Sequence, residues 1–154
     1  MTSMPTEQPE ASLVSLLFGF KGRINRARFW IGTIPLVIAW IAAMALLNWM
    51  FMRAESSVPV YGFGIAAGVM LLWCQLGVCI KRLHHRGKSG WWLLVFRALP
   101  AAVSQAGEAS TDFNLRIAAA VTIGAIWLWA VLELGCLRGT EGPNAYGPDP
   151  LPSA

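Results

Sequence analysis

The chain has 154 residues, of which 56% are hydrophobic and only 13% charged, with a net charge of +4. Charged residues at about half the ~25% usual for soluble proteins exclude a water-exposed globular exterior and point to one domain built in a membrane. The positive excess does not indicate nucleic acid. Eight of the 12 Lys and Arg residues fall in two clusters that flank apolar runs, and no basic face is left outside the membrane.

Residues 1–10 carry two prolines and two glutamates and are predicted to be a disordered tail, with a single helical domain over 11–150. Leu13, Leu16, Leu17, Phe20 and Ile24 then recur at helical spacing, which predicts an amphipathic helix lying in the membrane interface. Gly19 and Gly22 separate it from the first long apolar run, because each weakens a helix interior by about 1 kcal/mol. The start is too polar, and that apolar run too long, for a cleavable signal peptide, so the first span is expected to be its own insertion signal.

That span runs from Phe29 to Met52, about 24 uncharged residues, and the second from Ser56 to Ile80, about 25, with its helix expected over 58–80. Both exceed the ~20 residues that cross a bilayer core as a helix. Aromatic residues mark both ends of the first, with Trp30 as one interfacial anchor. The second contains Gly64 and Gly68 in GxxxG spacing, which lets another helix approach closely. Packing within the chain is the ordinary use of that motif, and homo-oligomerisation the other. Lys21, Arg23, Arg26 and Arg28 precede the first span, and Lys81, Arg82, Arg86 and Lys88 follow the second, around a neutral Arg53–Glu55 turn. The positive-inside rule therefore places the N-terminus and the 81–88 loop in the cytoplasm.

The last third is less regular. Trp91 and Trp92 open a short apolar segment, 89–103, interrupted by Arg97, whose insertion at a helix centre costs about 2.5–3.5 kcal/mol. Residues 104–114 are small and polar and read as a loop, and 117–137 is long enough for a third span. The segment 89–103 can cross as a short fourth helix or lie in the interface, and composition leaves both topologies open. Cys74, Cys79 and Cys136 include no CxxC and read as reduced, buried thiols.

Three segments carry a more specific signal: Gly19-Phe20-Lys21-Gly22-Arg23-Ile24-Asn25-Arg26-Ala27-Arg28-Phe29-Trp30, then Lys81-Arg82-Leu83-His84-His85-Arg86-Gly87-Lys88-Ser89-Gly90-Trp91-Trp92, and Gly142-Pro143-Asn144-Ala145-Tyr146-Gly147-Pro148-Asp149-Pro150. In this order they resemble the YhaH-like family of small bacterial inner-membrane proteins, a domain of unknown function, from about Gly19 to Pro150. The resemblance implies a helical inner-membrane domain in a bacterium and carries no assigned activity. The chain departs from it in two places. His85 stands where the family commonly has Asp, and extra residues, roughly Ala101 to Val121, interrupt an apolar segment that is usually continuous.

No nucleophile–base pair or metal set is visible, so an enzyme is not expected, and neither is a cofactor. His84 and His85 are the only histidines. Helical neighbours diverge by about 100° and do not chelate one metal from one face, so they read as polar residues at the membrane boundary. The expected fold is all-α, an integral membrane bundle of three transmembrane helices and a fourth short apolar helix, preceded by the interfacial helix. The expected function is a non-enzymatic bacterial inner-membrane module. Its cytoplasmic basic collar (Lys21, Arg23, Arg26, Arg28, Lys81, Arg82, His84, Arg86, Lys88) would bind anionic lipid headgroups or an acidic partner, because each surface cation near anionic lipid contributes roughly 1 kcal/mol. The alternative is a small oligomeric pore or transporter subunit assembled through Gly64 and Gly68. Tyr146, in the turn-rich tail, is placed to dock against the bundle.

Overall fold

The computed structural model describes residues 12–53 and 57–150. The predicted tail at 1–10 and most of the Arg53–Glu55 turn lie outside the described residues. Five helices run in order: α1 (Leu13–Phe18), α2 (Arg26–Arg53), α3 (Val58–His85), α4 (Leu99–Ala109) and α5 (Phe113–Val131). A π-helical turn, Leu94–Ala98, leads into α4, and a second, Leu132–Cys136, extends α5. Among the described residues no strand occurs beyond an isolated bridge between Asn144 and Gly147.

Three helices are long and apolar enough to cross a bilayer: Arg26–Arg53, Val58–His85 and Phe113–Cys136. Asn25 starts α2, its Oδ1 accepting from the Arg28 N–H at 2.9 Å, as an N-cap does. Pro35 is the tenth residue of α2, in the helix interior, where it removes one intrahelical hydrogen bond, a loss that membrane helices accommodate through neighbouring groups and local adjustment. The α2–α3 pair is an antiparallel hairpin, shown by Phe51 against Tyr61 at one end and Ile24 N–H bonded to the Lys81 carbonyl at the other. Between these, Gly64 lies against Leu47 and Gly68 faces Trp40, so both glycines of the GxxxG serve close approach inside this chain.

The amphipathic pattern that ran to Ile24 gives a helix only to Phe18. Ser12 caps it, accepting from the Ser15 N–H, and Gly19 is already extended, with φ −84° and ψ 148°. Gly22 then turns the chain at φ +93°. Phe20 reaches Trp73 edge-on at 4.9 Å, and Ile24 is buried. Both residues thus use their apolar surface in an irregular segment rather than on a helix. Gly77 permits this, since a Cβ there would lie 3.0 Å from the carbonyl oxygens of Leu17 and Gly19.

The segment read as a loop, 104–114, is a correction. Helix α4 continues to Ala109, and only Ser110–Asp112 separate it from α5. The small residues that suggested a loop instead allow close helix packing, with Gly107 directly over Ala119. Trp92 and Phe96 meet Trp129 edge-on, and Arg97 covers Trp127. Contacts pairing 92 with 129 and 107 with 119 make α4 antiparallel to α5. The 89–109 segment therefore runs alongside α5 from the basic end toward the opposite end. The core lies among α2, α3, α5 and the two π-turns, around Phe29, Leu36, Cys74, Val78, Leu83, Phe96, Ile126 and Leu134.

Candidate functional site

The end of α5 is where the sequence and the membrane conflict. The last carbonyls of any helix lack intrahelical partners, they carry the negative end of the helix dipole, and hydrocarbon offers them no water. Here five successive carbonyls each receive a side-chain donor. The Leu134 oxygen accepts from Arg82 Nε at 2.6 Å. The Gly135 oxygen accepts from Trp30 Nε1 at 3.2 Å, and the Cys136 oxygen from Arg26 Nη1 at 3.1 Å. The Leu137 oxygen accepts from Arg82 Nη2 at 2.5 Å, and the Arg138 oxygen from Arg86 Nη1. The π-turn opens this last turn, leaving Leu137 N–H on Leu132 O at 3.0 Å.

Lys81 does the same for α1. Its ammonium donates to the carbonyls of Ser15 at 2.6 Å and Leu16 at 2.5 Å, a cation at a helix C-terminus. Arg23 does it for the tail. Nη1 donates to Gly142 O at 2.7 Å and Gly147 O at 3.0 Å, and Nη2 to Thr140 O at 2.6 Å. Arg23 Nη2 also lies 3.1 Å from His85 Nδ1. A guanidinium only donates, so Nδ1 accepts and the imidazole is neutral, with its proton on Nε2.

Local turn geometry accounts for the third motif. Gly142 and Gly147 adopt φ +71° and +131°, a region that glycine enters without steric cost. They close a turn in which Asn144 and Gly147 exchange backbone bonds of 3.1 Å. Asn144 Nδ2 donates to the His84 carbonyl at 2.9 Å. Thr140 N–H donates to His85 O at 2.9 Å. Tyr146 stacks flat on His84, with centroids 4.1 Å apart.

The basic residues read from sequence as one collar thus divide. Arg82, Lys81 and Arg23 are 0%, 3% and 8% exposed and are bonded to the chain's own carbonyls. Arg86 and Lys88 hold the buried Glu133 carboxylate at 3.0 and 2.9 Å, and Lys88 also covers Trp92 at 4.6 Å. Lys21 and Arg26 are exposed and Arg28 is half-buried, on the same end of the bundle. Trp91 and Trp30 are both exposed, and Trp30 is also fastened to the Gly135 carbonyl. Glu133 and Thr140 are participants that sequence reasoning did not single out, and His85 and Asn144, read there as a boundary residue and as part of a turn motif, are partners of Arg23 and of the His84 carbonyl. The signal available for them was the Gly-Pro-Asn-Ala-Tyr-Gly turn pattern opposite paired histidines. Glu133→Gln is expected to lower stability by about 1–3 kcal/mol, read by denaturation in detergent, because two partly buried cations lose their shared carboxylate. Unchanged stability would show the pairs to be surface-like.

A family described as a protein of unknown function, DUF805, matches residues 17–148, the interval from the end of α1 through the docked tail. The chain belongs to the DUF805 family. It is 34% identical over 146 residues to the uncharacterised protein YiiR of Escherichia coli K12, covering 86% of each chain. It is 27% identical over 135 residues to the inner membrane protein YhaH of the same organism, covering 86% of this chain and 87% of that one. No solved structure matches. DUF805 membership thus brings an inner-membrane relative and no described activity.

Proposed function

We propose that this DUF805 protein is a multi-pass inner-membrane module whose cytoplasmic cap binds anionic lipid headgroups through its outward cations, Lys21, Arg26 and Arg28. One observation carries the reading. The cations of the two clusters are partitioned: the buried ones satisfy helix ends and tail, Lys21 and Arg28 remain at the rim of the same end, and Arg26, though exposed, gives one Nη to the Cys136 carbonyl. Rim cations at headgroup level attract anionic lipid by roughly 1 kcal/mol each and fall within one Debye length of the surface. Both α1 and the tail dock at this same end, and the positive-inside rule supports a cytoplasmic side for it. A pore of several copies has less support, because Gly64 and Gly68 face Leu47 and Trp40 of the same chain.

The test is native mass spectrometry of protein released gently from detergent. Retained phosphatidylglycerol or cardiolipin, lost in Lys21→Glu/Arg28→Glu while the variant stays folded, is the expected result. Anionic lipid held equally by the double variant, or none held by the parent, would sink the proposal. For orientation, a membrane-impermeant maleimide applied to spheroplasts is expected to label Ser57→Cys and spare Lys21→Cys. The opposite pattern would invert the topology.

A further inference from the structure

The residue that fits least well in this bundle is Arg97. It sits in the first π-turn and lies over Trp127, its Cζ 5.3 Å from the ring centroid. Trp127 is nine residues before Cys136, so at 1.5 Å per residue the guanidinium lies about 14 Å in from the capped end of α5. That depth is inside the hydrocarbon, where ionisable groups occur chiefly when they face a partner or a cavity. Among the described residues no carboxylate pairs with Arg97, and Glu133, on the same helical segment as Trp127, is taken by Arg86 and Lys88.

Arg97, itself exposed, borders an open-sided cavity of about 530 Å³ lined by α2, α3, the first π-turn and α5. This is within the roughly 300–1,000 Å³ of small-molecule sites. Its wall is largely aromatic and aliphatic, including Trp30, Trp40, Phe96 and Trp127. Two polar side chains besides Arg97 line it, each with a buried atom that has no hydrogen-bond partner. Gln75 is 7% exposed, and its Oε1 is buried without a hydrogen bond, as is Thr33 Oγ1. The Gln75 Nε2 is occupied by Cys79 Sγ at 3.4 Å, so a free polar atom remains in either orientation of the amide. A buried amide oxygen or hydroxyl without a partner is uncommon in native proteins, and a membrane interior provides no water to supply one. On the α2 and α5 sides, Val37, Ile41 and Val131 are 47%, 66% and 46% exposed. The mouth therefore opens toward lipid rather than toward either aqueous face.

We infer that this cavity binds a single-chain lipid anion, a long-chain fatty acid, with its carboxylate on Arg97 and its chain along the aromatic wall. The guanidinium fork matches a carboxylate, and the lateral mouth suits a ligand that arrives from the bilayer. The volume suits one chain better than the two of a phospholipid. The Thr33 hydroxyl can donate to the carboxylate, and Gln75 can do so through Nε2 when its amide turns so that Oε1 takes the Cys79 S–H. The site is separate from the rim cations, so it stands or falls independently of headgroup binding at the cap.

The experiment is equilibrium binding of radiolabelled palmitate to the purified full chain in dodecyl maltoside. Saturable binding of one palmitate per chain is expected, weakened at least about tenfold by Arg97→Gln, since a charge-assisted hydrogen bond is lost. Hexadecanol, with the same chain and no carboxylate, is expected to compete at least about tenfold less well. Val37→Trp leaves Arg97 in place and fills the mouth, and is expected to abolish binding. It keeps the test decisive if the Arg97 variant fails to fold. Non-saturable binding, equal affinity in Arg97→Gln, equal competition by hexadecanol, or preferential displacement by dipalmitoylphosphatidylglycerol would each overturn the assignment.

Discussion

Arg82→Met is expected to destabilise the protein by on the order of 3–5 kcal/mol and to release its tail to protease. The side chain is wholly buried, and it joins three separate segments. Nε and Nη2 take the Leu134 and Leu137 carbonyls, and Nη1 reaches Ile24 O at 3.4 Å. Methionine fills similar volume but leaves those carbonyls without donors, at about 1–3 kcal/mol for each buried polar group left unmade. Arg82→Lys separates this role from a topological one. If the residue acted only through the positive-inside rule, lysine would serve equally well. A single ammonium cannot reproduce the planar fork that reaches two carbonyls three residues apart, so Arg82→Lys should recover only a minor part of the loss. Chemical denaturation in detergent, with limited trypsinolysis at Arg138, reads both effects. Equal stability of the lysine variant and the parent would sink the account.

The same physics separates the features legible in the sequence from those that were not. Span positions depend on local composition, so α2 and α3 appear within a few residues of their apolar runs, as does α5 with its π-turn. Span ends depend on tertiary partners. Helix α3 continues five residues past Ile80 to His85, because Lys81 and Arg82 find carbonyl acceptors on α1 and the second π-turn. The basic clusters were visible, but whether each cation faced water or backbone was not, because that depends on residues distant in the chain. Arg23 is bonded to Gly142, 119 positions on, and no local pattern carries that pairing. Residues 104–109 failed differently. Small polar residues read as a loop when considered alone, yet Ala and Gly on α4 are what allow it to lie close against Ala119. Arg97 was noticed as an insertion cost, and only the bundle revealed the cavity it faces.

Gly139→Ala should be nearly as damaging as losing a buried cation, although it adds one methyl group. A Cβ at Gly139 would fall on the His85 imidazole ring. That ring cannot move aside cheaply. It is 3% exposed, its Nδ1 is held by Arg23, and its carbonyl carries Thr140 through two hydrogen bonds. Displacing it breaks the Arg23 linkage and lifts the tail from the ends of α2 and α3. Overpacking of this kind typically costs 1–3 kcal/mol, and occasionally more, and a value of about 3 is expected here. The decisive comparison is a double-mutant cycle. His85→Ala alone loses packing and an acceptor, but it also removes the group that the new methyl would strike. The double variant Gly139→Ala/His85→Ala should therefore be more stable than the sum of the single effects predicts, by at least about 1 kcal/mol of coupling. Gly124→Ala in α5 is the control. Nothing lies within 4 Å of its Cβ position, so this helix-interior substitution should be neutral or stabilising by up to about 1 kcal/mol. Additive behaviour of Gly139→Ala with His85→Ala would mean that the tail does not dock through this contact, and the cap built around Arg23, His85 and Thr140 would have to be abandoned.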